Sequence, residues 1–467
     1  MKTIRFCIGC LLMLALSAQA SNRPNIILIL ADDLGVENLG VYGGESYKTP
    51  NLDQLAHEGM RFERFHSNPL CTPSRVKLMT GKYNFRNYQD FMVLPKGETT
   101  FGHAMTELGY RTLIAGKWQL HSSGFEEQKG MLPEESGFED YRLWQVKRED
   151  RGSRYWGPTL VTNGQPETFP EDHFGPDLIN DYVLNYITEH QNEPFFIYYP
   201  MILPHDPFVS TPDHPDADSK EEKYAAMMSY MDKLVGKVKA KLIEQGLADN
   251  TVLLFLGDNG TSYRISSMRN GVNINGGKGQ TTNNGTHVPF IAWWQGTIGS
   301  DSVNHELINL NDFFPTLLEL AGGKSKTDLK LDGTSLAPLF YGQPSLGRQS
   351  VFIHYDPKAY LFKSARYAFN EDWKLYEDGR FFHTTSDPQE NNDLSLAVMD
   401  DTQQAAHDLL QSRLASMGGE PVSGFYSLPA KIITRAFQLG AVILVLILGV
   451  MTWRRFRNKR KSANRTG

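Results

Sequence analysis

One unit, repeated four times, does most to limit what this chain can fold into: an apolar, β-favouring run that ends in a polar cluster. Residues 25–30 run into Ala31-Asp32-Asp33, and 111–115 into Gly116-Lys117-Trp118. Residues 194–199 lead to Pro204-His205-Asp206-Pro207, and 251–256 run into Gly257-Asp258-Asn259-Gly260. Continuous apolar runs of this length suit strands buried on both faces, hence a parallel sheet covered by helices. Helical patterns intervene at 53–59, 101–108, 177–190 and 221–245. The alternation predicts an α/β domain with a large mixed, mostly parallel sheet sandwiched by helices. From about residue 350 the pattern changes. Short strand-like segments at 351–355, 360–369, 373–376 and 380–384, then a helical stretch at 400–417, predict a smaller C-terminal antiparallel sheet plus helix.

The two ends read differently. Lys2 and Arg5 precede the apolar stretch 6–16, and Ala18-Gln19-Ala20 follows, which is the pattern of a signal peptide over 1–20. Residues 436–453 carry no charge and are followed by a strongly basic flank at 454–461, the pattern of a transmembrane helix with a cytoplasmic tail. The expected organisation is signal peptide 1–20, catalytic α/β domain 21–345, C-terminal α+β subdomain 346–418, linker 419–435, transmembrane helix 436–453 and basic tail 454–467. That topology puts the body on the periplasmic or extracellular side. A net charge of -6 does not fit a nucleic-acid binder. Of three cysteines, Cys7 and Cys10 fall in the signal segment, so Cys71 has no intrachain partner.

Exported proteins usually pair their cysteines, so a single one asks for a reason. Cys71 is a buried inert thiol, a partner in an intermolecular disulfide, a reactive thiolate or a residue chemically converted before use. Asp32, Asp33, Asp258 and Asn259 raise a second question. Carboxylates crowded at buried strand ends repel one another and raise their own pKa values. A divalent cation removes that cost, and an all-oxygen set selects Ca2+ or Mg2+ over zinc. The plainer reading has Asp32 capping a helix and Asp33 paired with a lysine. Sites on open parallel sheets form beyond the carboxyl ends of the strands, so the four polar clusters are expected to share one cleft.

The ordered set of motifs resembles a known family. Cys71-Thr72-Pro73-Ser74-Arg75 lies after the Asp-Asp strand. Gly116-Lys117-Trp118, His205-Asp206-Pro207, Gly257-Asp258-Asn259-Gly260 and Gly277-Lys278-Gly279 follow it. Together they resemble the type I sulfatases, formylglycine-dependent and arylsulfatase-like members of the alkaline phosphatase superfamily. The similarity runs from residue 22 to about 392 and includes the ending Thr385-Ser386-Asp387-Pro388-Gln389-Glu390-Asn391-Asn392.

The resemblance implies that Cys71 becomes formylglycine, made by a separate formylglycine-generating enzyme that reads the unfolded motif during export. It implies a calcium site, with magnesium the second choice, held by Asp32, Asp33, Cys71 in its converted form, Asp258 and Asn259. Arg75 would orient the converted residue, and Lys117 and Lys278 would bind sulfate oxygens. His205 or Lys278 would protonate the leaving alcohol. The implied activity is a sulfuric ester hydrolase acting on a sulfated sugar, glycan or aryl ester. A phosphonate monoester or phosphodiester hydrolase of the same superfamily is the alternative, and a catalytically inactive membrane-tethered binding protein is the other. Two departures stand out. Gln119 occupies the place where many relatives carry histidine, leaving His121 or another base to collapse the intermediate. The segment 281–289 is also unusual, with Asn283, Asn284 and His287 as candidates to face substrate. Loops 142–156 and 208–219 are expected to shape the pocket.

Overall fold

The computed structural model describes residues 23–419, apart from 125, 127, 324–328 and 360–361. The expected signal peptide, transmembrane helix and basic tail lie outside the described residues, as does all but the first residue of the expected linker. Among the described residues no helix is long and apolar enough to cross a membrane.

All four apolar runs form strands: Asn25–Ala31, Arg111–Lys117, Phe195–Pro200 and Thr251–Gly257. They are neighbours in a ten-stranded sheet. Asn25–Ala31 lies parallel between Thr251–Gly257 and Phe195–Pro200, and Arg111–Lys117 pairs parallel with the far side of Phe195–Pro200. Asp140–Trp144 extends the parallel block. On the other side Phe290–Trp293 runs antiparallel to Thr251–Gly257, which makes the sheet mixed.

The first strand shows why the sheet is covered on both sides. Side chains alternate across a strand. Ile26, Leu28 and Leu30 therefore enter a core with the helices Cys71–Thr80, Phe101–Glu107 and Phe313–Leu320. Ile27, Ile29 and Ala31 enter the opposite core with Pro50–His57, Gly175–Glu189 and Lys220–Glu244. Each large aliphatic side chain so buried contributes roughly 1.5–3 kcal/mol. That is why this strand carries no polar residue between Asn25 and Asp32.

The four strands Val351–Tyr355, Ala365–Phe369, Trp373–Tyr376 and Phe381–His383 form an antiparallel meander. The segment expected from residue 360 becomes a strand only at Ala365. The helix Asp401–Ala415 covers one face through Ala406, Leu410 and Leu414, packed on Phe352, Ala368, Leu375 and Phe381. It starts with a capping box in which Asp400 and Gln403 each hold the other's backbone N–H. A buried cluster ties this sheet to the 281–289 segment. Lys374 Nζ lies 2.7 Å from Glu390 Oε1, and Tyr376 Oη donates to Thr281 Oγ1 at 2.7 Å. The family-like ending around Glu390 thereby reaches the loop that carries Lys278.

Candidate active site

The helix Cys71–Thr80 is buried on every side, so no polar face alternates with an apolar one. Leu70 enters extended, and Gly81 ends the helix in a left-handed turn with its N–H on the Lys77 carbonyl. Cys71 and Arg75 are four residues apart and share a helix face. Arg75 Nε lies 3.0 Å from Asp258 Oδ2, its Nη2 2.9 Å from the same oxygen and 3.4 Å from Asp32 Oδ1. The helix face that bears Cys71 is thus set onto the carboxyl ends of two central strands. Cys71 is buried and unpaired, and it acts electrostatically on both Arg75 and Lys278.

The strand ends supply the rest. Asp33 stands in the left-handed region at φ 69°, a conformation aspartate tolerates better than most residues. Its N–H donates to Asp258 Oδ1 at 3.0 Å, and its carboxylate accepts from Asn259 Nδ2 at 2.8 Å and Lys278 Nζ at 2.7 Å. Lys117 Nζ reaches both Asp32 oxygens at 2.9 Å. Gly116 makes that placement possible: at φ 130° a Cβ there would lie 1.9 Å from the Pro200 carbonyl oxygen. The Lys278 loop is fastened to the segment before Cys71 by the Gly279 N–H on the Pro69 carbonyl at 2.7 Å.

His205 is held from both sides. Its Nδ1 lies 2.6 Å from the Asp206 carbonyl and 3.0 Å from the Asp206 carboxylate, and its Nε2 lies 3.0 Å from Lys278 Nζ. Lys278 and Asp206 thereby fix the ring's orientation from its two nitrogens.

Burial sets the electrostatics. It opposes charge on Asp32, but Lys117, with His205, Arg75 and Lys278, outweighs it and holds the carboxyl well below the usual range. Asp258 is pushed up to about 7, chiefly by burial, with Asp32 and Asp33 adding to the rise against Arg75 and Lys117. Burial also works against the Lys278 ammonium, yet Asp33 and Cys71 hold it above its ordinary range.

A cation fits this donor set. Asn259 Oδ1 is buried with no hydrogen-bond donor, while its Nδ2 is spent on Asp33 and the Gly260 carbonyl. A buried acceptor without a donor is costly unless something else satisfies it. Three carboxylates beside an orphaned amide oxygen suit a hard divalent ion. His205 joins the cluster as well, since one ligand atom each from Asp32, Asp33 and His205 lie within 4.8 Å of one another.

The four strand-end clusters therefore meet, together with the Cys71 helix and the Lys278 loop. Other candidates are bonded within the fold. His121 is buried with Nδ1 on the Gly130 carbonyl at 2.8 Å. Gln119, at φ 51°, bonds through its backbone to the Gln145 carbonyl, and its Nε2 lies 3.5 Å from Gln145 Oε1. His287 donates to or accepts from neighbours inside the fold, with Nε2 2.8 Å from the Glu63 carbonyl and its ring stacked on His66. Asn284 is spent on the Asn275 carbonyl. Sequence reasoning missed Arg154, whose guanidinium lies 3.9 Å from the Trp144 ring centroid and whose Nη1 is 3.8 Å from Asp32 Oδ2. No local pattern around Ser153-Arg154-Tyr155 announces it.

A family model described as Sulfatase matches residues 24–323. The chain is 34% identical over 364 residues to N-acetylgalactosamine-6-sulfatase of Rattus norvegicus, covering 69% of this chain and 67% of that protein. It is 33% identical over 381 residues to arylsulfatase A of Bos taurus, covering 73% of each. Among solved structures, that of Ps i-CgsB superposes with a TM-score of 0.73 at 23% identity, covering 89% of this chain and 97% of that one, a likeness of fold.

Proposed function

Because the chain belongs to the sulfatase family and is a sulfate ester hydrolase, we propose that it acts through a formylglycine made from Cys71 and a bound Ca2+. Its substrate in this reading is a sulfated sugar, glycan or aryl sulfate. The observation that carries the reading is the grip of Arg75, Lys117 and Lys278 on three strand-end carboxylates, at the helix face shared with Cys71.

When present, the hydrated aldehyde and the cation supply a hydroxyl nucleophile that is readily deprotonated. Asp32, Asp33, Asp258 and Asn259 hold the cation. Arg75 fixes the Cys71 helix against Asp258, so residue 71 keeps its place relative to the ion. Lys117 and Lys278 bind the sulfate oxygens and stabilise the charge that grows on them. Lys278 holds its proton beside His205 Nε2, which makes Lys278 the donor to the leaving alcohol and His205 its partner in proton transfer. Asp206 orients the imidazole through Nδ1.

Intact mass tests the first step, since replacing the thiol by an aldehyde lowers the mass by about 18 Da. Converted protein should hydrolyse 4-nitrophenyl sulfate with calcium, and faster than it hydrolyses 4-nitrophenyl phenylphosphonate. Material that retains the thiol yet turns over sulfate at full rate sinks the formylglycine reading; preference for the phosphonate ester sinks the substrate class. Export through residues 1–20 and anchoring through 436–453 belong to the same proposal, and recovery of the native chain from a washed membrane fraction checks them.

A further inference from the structure

We propose that Arg154 is a specificity-determining residue that binds a second oxyanion of the substrate, a carboxylate or another sulfate on the sugar next to the ester being cleaved. The inference rests on the sulfatase reading of the site and adds a substrate requirement to it.

Arg154 is only 9% exposed, yet its Nη1 is buried with no hydrogen-bond partner. The nearest anion, Asp32 Oδ2, is 3.8 Å away, beyond hydrogen-bonding range. Buried donors left unpaired are costly and are rare in folded proteins. Asp32 is not what this guanidinium waits for, because Lys117 already bonds both Asp32 oxygens and Arg75 lies against one of them. Arg154 is therefore an additional cation at a centre whose carboxylates are already matched.

It is also preorganised. The guanidinium lies over Trp144, and Trp144 Nε1 donates to the Gly152 carbonyl at 3.1 Å, which fixes the turn leading to Arg154. On the other side Tyr155 donates to the Ile202 carbonyl at 2.7 Å and to the His205 carbonyl. The loop is thus stapled to the segment that carries His205, and Arg154 acts electrostatically on Asp206 as well.

Charge balance gives the ligand its sign. Arg75, Lys117 and Lys278 already match Asp32, Asp33 and Asp258, and Arg154, though Asp206 also lies in its field, keeps a positive charge whose Nη1 no carboxylate hydrogen-bonds. A sulfate monoester brings a single negative charge. A second oxyanion offsets what is left, and a planar guanidinium fork matches a carboxylate or sulfate edge through two parallel bonds.

The test compares paired substrates. Glucosamine 2-N,6-O-disulfate against N-acetylglucosamine 6-sulfate reports a second sulfate; glucuronate 2-sulfate against glucose 2-sulfate reports a ring carboxylate. In Arg154→Gln and Arg154→Lys, the ratio of kcat/KM for the doubly charged member over its singly charged partner should fall roughly 10- to 100-fold, mainly through KM, for the pair that matches the native ligand. An equal loss on both members of both pairs overturns the proposal and makes Arg154 a structural residue, and no loss on any member overturns it too. Should the calcium-loaded parent cleave none of the four, turnover of 4-nitrophenyl sulfate decides the sulfatase reading separately. Calorimetric binding of glucuronate and of glucosamine 2-N-sulfate then decides the question for Arg154 alone. Weaker binding by both variants supports the proposal, and unchanged binding or a parent that binds neither overturns it.

Discussion

Lys77 sits on the buried helix that begins at Cys71, and its replacement by methionine should stabilise the protein while removing a pH dependence. The side chain is 1% exposed. Its Nζ has one oxygen partner, Asn68 Oδ1 at 3.5 Å, and lies 5.2 Å from the Tyr83 ring centroid. Burial pulls the ammonium down to about 7 from 10.5, against the attraction of Asp312 and Asp332 and with Arg348 adding to the fall. Each tenfold loss of proton affinity is worth about 1.4 kcal/mol, so the full displacement represents about 5 kcal/mol. The sign follows from which state binds the proton. Between pH 7 and 10.5 the unfolded chain is protonated at Lys77 and the folded chain is not, so stability rises with pH across that window and the penalty is complete below it. Methionine fills the same channel without a charge. It forgoes the contact with Tyr83 and the bond to Asn68, each worth about 1 kcal/mol. The net gain at pH 7 is about 3 kcal/mol. Urea unfolding of parent and Lys77→Met at pH 6, 7, 8, 9 and 10 reads the difference, which should shrink steadily above pH 7, vanish near pH 9 and change sign by pH 10. A variant less stable than the parent at every pH, or a difference that does not change with pH, refutes the reasoning.

Other perturbations reach the site directly. Arg75→Met leaves Asp258 buried without its main partner and should cost about 3–5 kcal/mol in urea unfolding; a loss below about 1 kcal/mol would contradict the buried ion pair. Asn259→Leu removes the orphaned amide oxygen. Calcium titrations of activity and of thermal stability should both shift to at least tenfold higher concentration, and chelated parent protein should recover activity with calcium better than with magnesium. Lys278→Ala should hurt esters of poorly acidic alcohols far more than 4-nitrophenyl sulfate, because a good leaving group needs no proton. An equal loss on both would remove Lys278 as the acid. His354 is buried with Nδ1 unpartnered and is held down to about 4 by burial and Arg366. A depressed histidine stabilises the fold above its unfolded value near 6.5, and that contribution is lost as pH falls through 4. His354→Asn should therefore flatten the acid limb of the stability curve, by about 3 kcal/mol at its foot.

The central strands were legible because burial on both faces leaves nothing but apolar, β-favouring residues, as from Ile26 to Leu30. The shortest strands were not. Met60–Phe62, Ser302–Asn304 and Ile308–Asn309 are too brief to show a period, and only their neighbours define them. The site was legible for a related reason: each cluster is a polar interruption at the end of an apolar run, and fold topology then brings the ends together. Arg154 and Lys77 have no such signature. Arg154 lies in a polar loop, and its meaning comes from Trp144 and Asp32, both remote in sequence. Lys77 looks like an ordinary solvated helix lysine until the third dimension buries it. His205 was read as an acid alongside Lys278; that its two nitrogens meet Lys278 and Asp206 follows only from the fold.

The same burial orders events in the life of the chain. Cys71 is 4% exposed and opens a helix in which every residue from Cys71 to Thr80 is buried. The helix is wedged between the sheet and the helices Phe101–Glu107 and Phe313–Leu320, and Pro69 just before it is bonded to the Gly279 loop. A modifying enzyme that needs several residues around the cysteine cannot reach them without pulling this helix out, which would expose the Arg75–Asp258 pair and a large part of one core. On the proposed formylglycine reading, conversion of Cys71 therefore belongs before folding, while 71–75 is still extended. The arrangement that denies access afterwards also serves catalysis. If residue 71 is the proposed nucleophile, its place on a helix packed on all sides costs it little freedom on binding substrate, and its distance to the carboxylates is set by the fold rather than by a flexible side chain.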